Sequence, residues 1–333
     1  MKKFFVLLLT FALMFVLSFA FYGCYLEDES SPDAPDNKDS EASQEQQEEK
    51  EEEFVLPVPD PEQSLFKDIS YGSSSKHTFD ILLPQPLKEA ETPMPFFLLI
   101  HGGSWTGGDK SEFYFLSDLL NTYQYAAVTI NYRLLGEGIN YLDMLDDIRS
   151  AVSYIKKIAP AYQLKTDRMG VVGSSAGGHL ALLYSLKCAA ASPIPVSLLV
   201  SLVGPTDFSD PAFYTEGYLT TEEKLTLISS LLGTTVHQEM ITSGSFPEAL
   251  YDASPITHVK AGFPATLLAY GGKDKLVPYS NGQRLYDALS AHHADKVRLI
   301  IFPNSGHELD KDADKMAEAT LALLFFANTY LPK

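Results

Sequence analysis

The chain has 333 residues, 45% of them hydrophobic, enough length and apolar content for one large α/β domain or two small ones. Its formal net charge is −18, with 43 acids against 25 bases, which excludes the basic surface that nucleic-acid binding needs. Two cysteines, Cys24 and Cys188, exclude a scaffold stapled by disulfides.

Taken in chain order, Met1-Lys2-Lys3 and the run FFVLLLTFALMFVLSFAFY form the basic start and apolar core of a secretory signal, long enough to serve instead as an uncleaved anchor. Residues 25–62 hold fifteen acids and two lysines, a local charge of −13. With Lys2 and Lys3 set aside, the rest of the chain carries −7. The acidic stretch has almost no large apolar side chain before Phe54, so it cannot bury enough surface to offset its ordering entropy. It reads as a disordered, self-repelling tether. The expected organisation is a signal at 1–24, a tether at 25–62 and one domain over 63–333, exported and either membrane-anchored or released. The oligomeric state is left open.

LFKDISY and HTFDILL alternate like strands, with Gly72-Ser73-Ser74-Ser75 as the loop between them. FFLLI (96–100) is apolar throughout, as in a strand buried on both faces, and runs directly into His101-Gly102-Gly103-Ser104-Trp105. A helix is expected around 112–122, a strand over 126–132, and an amphipathic helix over 141–159, where apolar residues recur every three or four positions. Asp167-Arg168 opens the strand into VVGSSAGGHL, and VSLLVSLV (196–203) is the next buried strand. Residues 205–255 break the rhythm, mixing Pro, Gly and Thr with helical pieces such as TEEKLTLISSLLG, and read as an insertion over the top of the sheet. ATLLAY (265–270) and VRLIIF (297–302) are strands separated by a helix over 281–292, and a closing helix covers 313–331. Alternating strands and helices give an α/β fold, a mostly parallel central sheet with helices on both faces, led by an antiparallel hairpin.

Gly173-Ser174-Ser175-Ala176-Gly177 is a G-x-S-x-G pattern between a strand and a helix, the setting of a nucleophile elbow, with Ser175 at its centre. A serine needs an adjacent base, and the base needs an orienting group. Asp274 follows ATLLAY and His307 follows VRLIIF, so all three lie at carboxyl ends of strands, where open α/β sheets gather their chemistry. Asp207, in GPTDF, ranks second as the acid, and Asp252 is a further alternative. The oxyanion donors expected are the backbone N–H groups of Gly103, Ser104 and Ala176. His101 is expected to brace the loop, and Trp105, the only tryptophan, to pack it or to line the acyl pocket. His292-His293 reads as a solvated helix end. No metal or organic cofactor is called for, and Cys188 reads as a buried thiol on the helix after the elbow.

HGGSWTGGDK, INYRL, GSSAGG, SPI, GGKDKLVP and SGH, in that order, resemble the α/β-hydrolase superfamily over about residues 64–330. The set is most similar to HGGxW-type carboxylesterases, near the hormone-sensitive-lipase-like branch, and to feruloyl and acetyl-xylan esterases; kynurenine formamidases are also similar. The resemblance implies a serine carboxylesterase acting on small or carbohydrate-borne esters, with a formamidase or amidase/peptidase as the alternative. Related peptidases usually carry an N-terminal propeller, for which this chain has no room. Ser104 stands where many relatives have a third glycine. Gly23-Cys24 resembles the lipobox of bacterial lipoproteins, which makes Cys24 a lipidation candidate, although Phe21 and Tyr22 depart from the aliphatic and small residues of that pattern.

Overall fold

The computed structural model describes residues 54–333 apart from Glu137 and Glu216. The signal-like segment, Cys24 and residues 25–53 of the acidic stretch lie outside the described residues. No helix among the described residues is long and apolar enough to cross a membrane.

Eight strands form one sheet in the order β1-β2-β4-β3-β5-β6-β7-β8. They are β1 (Leu65–Ser70), β2 (Thr78–Leu82), β3 (Phe96–Ile100), β4 (Ala126–Ile130), β5 (Met169–Ser174), β6 (Val196–Leu202), β7 (Ala265–Gly271) and β8 (Val297–Phe302). β1 pairs antiparallel with β2, and β2 with β4; every other pairing is parallel. The leading hairpin and the parallel body are as the sequence patterns suggest. Every residue of β3, β4 and β7 is buried, which explains the unbroken apolar run of β3 and the mostly apolar β4 and β7, interrupted by Thr129 and Thr266.

The long helices are α1 (Tyr114–Thr122), α2 (Tyr141–Ile158), α3 (Ala176–Leu186), α8 (Tyr279–His293) and α9 (Ala313–Tyr330). The sheet divides the apolar interior in two. Phe97, Leu99 and Val172 pack with Leu116 and Leu120 of α1 and Leu323 and Phe326 of α9. Leu98 and Val171 pack with Ile148 of α2, Leu183 of α3 and Leu285 of α8 on the other face. α2 starts at a capping box, in which Asn140 accepts from Leu142 N and Asp143 accepts from Asn140 N. α3 is buried along its whole length, hence apolar around its circumference rather than striped.

The expected helix at 112–122 is a 3₁₀ turn over Lys110–Phe113 followed by α1. Between β6 and β7 the described residues of the insertion form α4 (Pro211–Thr215), the longer α5 (Thr221–Leu232), α6 (Gln238–Ser243) and α7 (Glu248–Asp252). Phe208, Phe213, Ile228 and Leu250 bury it on the α2–α3–α8 side. At the other end of the chain, the Phe54 ring lies edge-on to Tyr154, and Lys88 pairs with Glu62.

Candidate active site

β5 ends at Ser174, and α3 starts at Ala176, so Ser175 alone makes the turn between strand and helix. Its φ of 53° and ψ of −121° lie where L residues are strained, and two bonds hold it there. Ser175 N donates to Leu202 O at 2.8 Å, and Ser175 O accepts from His179 N at 3.0 Å. Gly177 makes the turn possible, because a Cβ there would stand 2.0 Å from the Ile100 carbonyl oxygen.

His307 reaches Ser175 from the loop after β8, with Nε2 2.8 Å from Oγ, and its Nδ1 lies 2.8 Å from Asp274 Oδ2. Asp274 follows β7 and is buried, and its Oδ1 accepts from Leu276 N at 2.8 Å and Val277 N at 3.0 Å. Those two amides fix the carboxylate and leave Oδ2 for the histidine. A carboxylate only accepts, so Nδ1 carries the proton and the Nε2 lone pair faces the serine hydroxyl. Ser175, Asp274 and His307 are thus brought together. The second-ranked acids are not. Asp207 pairs with Arg284 of α8 and caps Ser209, while Asp252 is bound by Tyr141 and Lys187.

The loop after β3 lies against the elbow: a Cβ on Gly102 would come within 3.3 Å of Ser175 Cβ. Beyond it, Gly103, Ser104 and Trp105 all have positive φ, at 102°, 53° and 62°. The N–H groups of Gly103 and Ser104 have no acceptor among the described residues. The Ala176 N–H opens α3, where backbone donors are free and the helix dipole favours negative charge. His101 is buried, stacks on Tyr132 with ring centres 4.4 Å apart, and donates from Nδ1 to Gly102 O. Burial pushes its pKa down to about 4, so at neutral pH it is an uncharged brace. His292 and His293 end α8 in solvent, and Cys188 is half-buried just past α3.

Two supports escape a motif reading. Asp312 accepts from Asn304 N, Ser305 N and Ser305 Oγ, and so holds the loop that presents His307. An acid five residues beyond a candidate histidine is a faint signal on its own. His179 hydrogen-bonds Trp105 across 74 residues, a pairing that no local pattern reports.

A family model, BD-FAE, matches residues 79–289, which include Ser175 and Asp274. The chain belongs to the BD-FAE family. Esterase LipC of Mycobacterium tuberculosis is 24% identical over 271 residues, covering 78% of this chain and 64% of LipC. The acylamino-acid-releasing enzyme of Rattus norvegicus is 26% identical over 286 residues, covering 80% of this chain and 35% of the rat protein. This BD-FAE chain therefore spans less than two thirds of either relative. Among solved structures, a truncated carbohydrate esterase from gut microbiota superposes with a TM-score of 0.61 at 21% identity, covering 80% of this chain and all of that one. That likeness establishes the α/β-hydrolase fold.

Proposed function

We propose that the protein is a serine carboxylesterase hydrolysing small or carbohydrate-borne esters through an acyl-enzyme. The observation that carries this reading is the continuous hydrogen-bond line Asp274–His307–Ser175 at 2.8 Å per link. As Ser175 Oγ attacks the ester carbonyl, its proton passes to His307 Nε2, and the Asp274 carboxylate stabilises the imidazolium. The developing oxyanion takes hydrogen bonds from the N–H groups of Ala176, Gly103 and Ser104. Collapse expels the alcohol, which leaves with the His307 proton. Water then gives a proton to His307 and attacks the acyl-serine, and as the acid leaves, His307 Nε2 returns that proton to Ser175 Oγ.

An open groove of about 760 Å³ borders this loop at Thr106. One wall is α5 with Glu222, Glu223, Thr226 and Ser230; the other holds Leu135, Gly136, Gly138, Ile139 and Asn140. A wall carrying hydroxyls and carboxylates beside apolar residues suits a polyhydroxylated alcohol such as a sugar. The family relationship and the name of the LipC relative also support ester hydrolysis. Amide hydrolysis is the second reading, favoured by the similarity to acylamino-acid-releasing enzymes.

Ser175→Ala is expected to abolish hydrolysis of p-nitrophenyl acetate, and retained turnover in the folded variant contradicts the reading. Rates on acetylated xylan, feruloyl esters, formyl-kynurenine and acetyl-amino-acid anilides decide between ester and amide. Export, with Cys24 lipidated, is proposed from the N-terminal sequence alone. Radiolabelled palmitate incorporated by the full chain in bacteria and lost in Cys24→Ser is the expected result; equal labelling in both rejects it.

A further inference from the structure

The left-handed run at Gly103, Ser104 and Trp105 includes two residues with a Cβ, a backbone conformation that persists only where its surroundings impose it. The Trp105 side chain is where they do so. It is 3% exposed, and its Nε1–H donates to His179 Nδ1 at 3.3 Å. The two rings meet edge to face, 5.3 Å apart, with Phe208 of the insertion against both. His179 is fully buried one turn into α3, its own N–H bonded to the Ser175 carbonyl. Its Nε2 donates to the Ala253 carbonyl at 2.8 Å, where the insertion ends. An indole only donates and a carbonyl only accepts, so both bonds form together with a single ring tautomer. One imidazole therefore joins the loop of the proposed oxyanion hole, the helix that follows the nucleophile and the insertion.

We propose that His179 is a positioning residue: by holding the Trp105 indole it aims the Gly103 and Ser104 N–H groups at the oxyanion, and through Ala253 it sets that loop against the insertion. This rests on the esterase reading above. It assigns a part to a buried histidine that neither transfers a proton nor touches substrate. A histidine serving only as core packing would affect stability and leave turnover intact.

Trp105 is the only tryptophan in the chain, so its fluorescence reports on this loop alone. In the full chain, His179→Leu and Trp105→Phe are each expected to lower kcat on p-nitrophenyl acetate about 100-fold, the scale of losing one oxyanion donor, with KM little changed. The double variant should lose no more than either single one, because both remove the same bond. His179→Gln, which keeps one acceptor and one donor, should recover part of kcat and return the Trp105 emission toward wild type. Losses that multiply in the double variant, or kcat within threefold of wild type in folded His179→Leu, overturn the proposal. Trp105→Phe keeps an aromatic ring while removing the donor and part of the indole's bulk, so it carries the test, with urea unfolding reporting the packing loss, if His179→Leu does not fold. Wild type that neither hydrolyses ester nor labels at Ser175 with a fluorophosphonate would reject the esterase reading instead. The emission change in His179→Leu, read without substrate, would still report whether His179 holds the loop.

Discussion

Asp274 commits one carboxylate oxygen to two backbone amides and the other to His307 Nδ1–H. Asn in its place keeps the volume but offers an amide that can donate where the imidazole also donates, which favours the wrong tautomer. Asp274→Asn is expected to lower kcat by about 10⁴-fold with little effect on folding. Steady-state kinetics beside a circular dichroism spectrum check this, and wild-type kcat contradicts it. At this scale the sequence is informative where chemistry and strand ends coincide. Ser175 rather than Ser174 is chosen because only Ser175 is centred between Gly173 and Gly177. The choice of Asp274 over Asp207 is less legible, since both follow buried strands. Arg284, 77 residues from Asp207, takes that carboxylate, and only the tertiary fold makes them neighbours. Asp312 and His179 stay hidden for the same reason: their work is done through partners, and a lone Asp or His has no pattern.

The elbow depends on how closely α3 approaches the end of β3. A methyl group on Gly177 would meet the carbonyl oxygens of Ile100 and His101 at 2.0 and 2.2 Å, both fixed in backbone. Gly177→Ala should therefore shift α3, cost about 1–3 kcal/mol in urea unfolding and remove fluorophosphonate labelling. A variant with wild-type stability and labelling would show that the contact yields. The groove makes a separate claim about substrate. Thr226→Trp on α5 should raise KM for acetylated xylan while leaving kcat/KM for p-nitrophenyl acetate close to wild type; equal effects on both would remove α5 from substrate binding. Strands and long helices were readable because apolar runs and three-to-four spacing survive in any context. The insertion reads as a break in rhythm around one clear helical piece, TEEKLTLISSLLG, which is α5. α4, α6 and α7 are short, and α5 is marked by a capping box of Thr220 with Glu223 and by Gly233 at its end. How they stack is set by Phe208, Phe213 and Leu250 meeting the body of the domain.

At the scale of the molecule, two buried imidazoles link stability to pH. Burial lowers both His101 and His179 to about 4, against about 6.5 in an unfolded chain. Between those values the unfolded state binds protons that the folded state does not. Their contribution is thus complete above about pH 6.5 and is lost as pH falls toward 4, by about 3 kcal/mol per histidine. Burial raises Glu112 and Glu308, which acts in the opposite direction. Comparison with His179→Gln separates the terms: the fall in urea midpoint from pH 7 to pH 4.5 should be smaller in that variant, and an equal fall would remove His179 from the linkage. The whole molecule also shows why the order Ser, Asp, His is legible in the sequence. Each residue lies at or shortly after the carboxyl end of a strand of the sheet, β5, β7 or β8, and parallel strands bring those ends to one edge of the sheet. The central claim, that this edge performs acyl transfer on Ser175, is tested most directly by rapid acid quench of the full chain with p-nitrophenyl acetate and mass spectrometry of the peptide containing VVGSSAGGHL. The expected result is acetyl on Ser175, absent in Ser175→Ala together with all turnover. An unmodified Ser175 during turnover, or continued hydrolysis by Ser175→Ala, would contradict it.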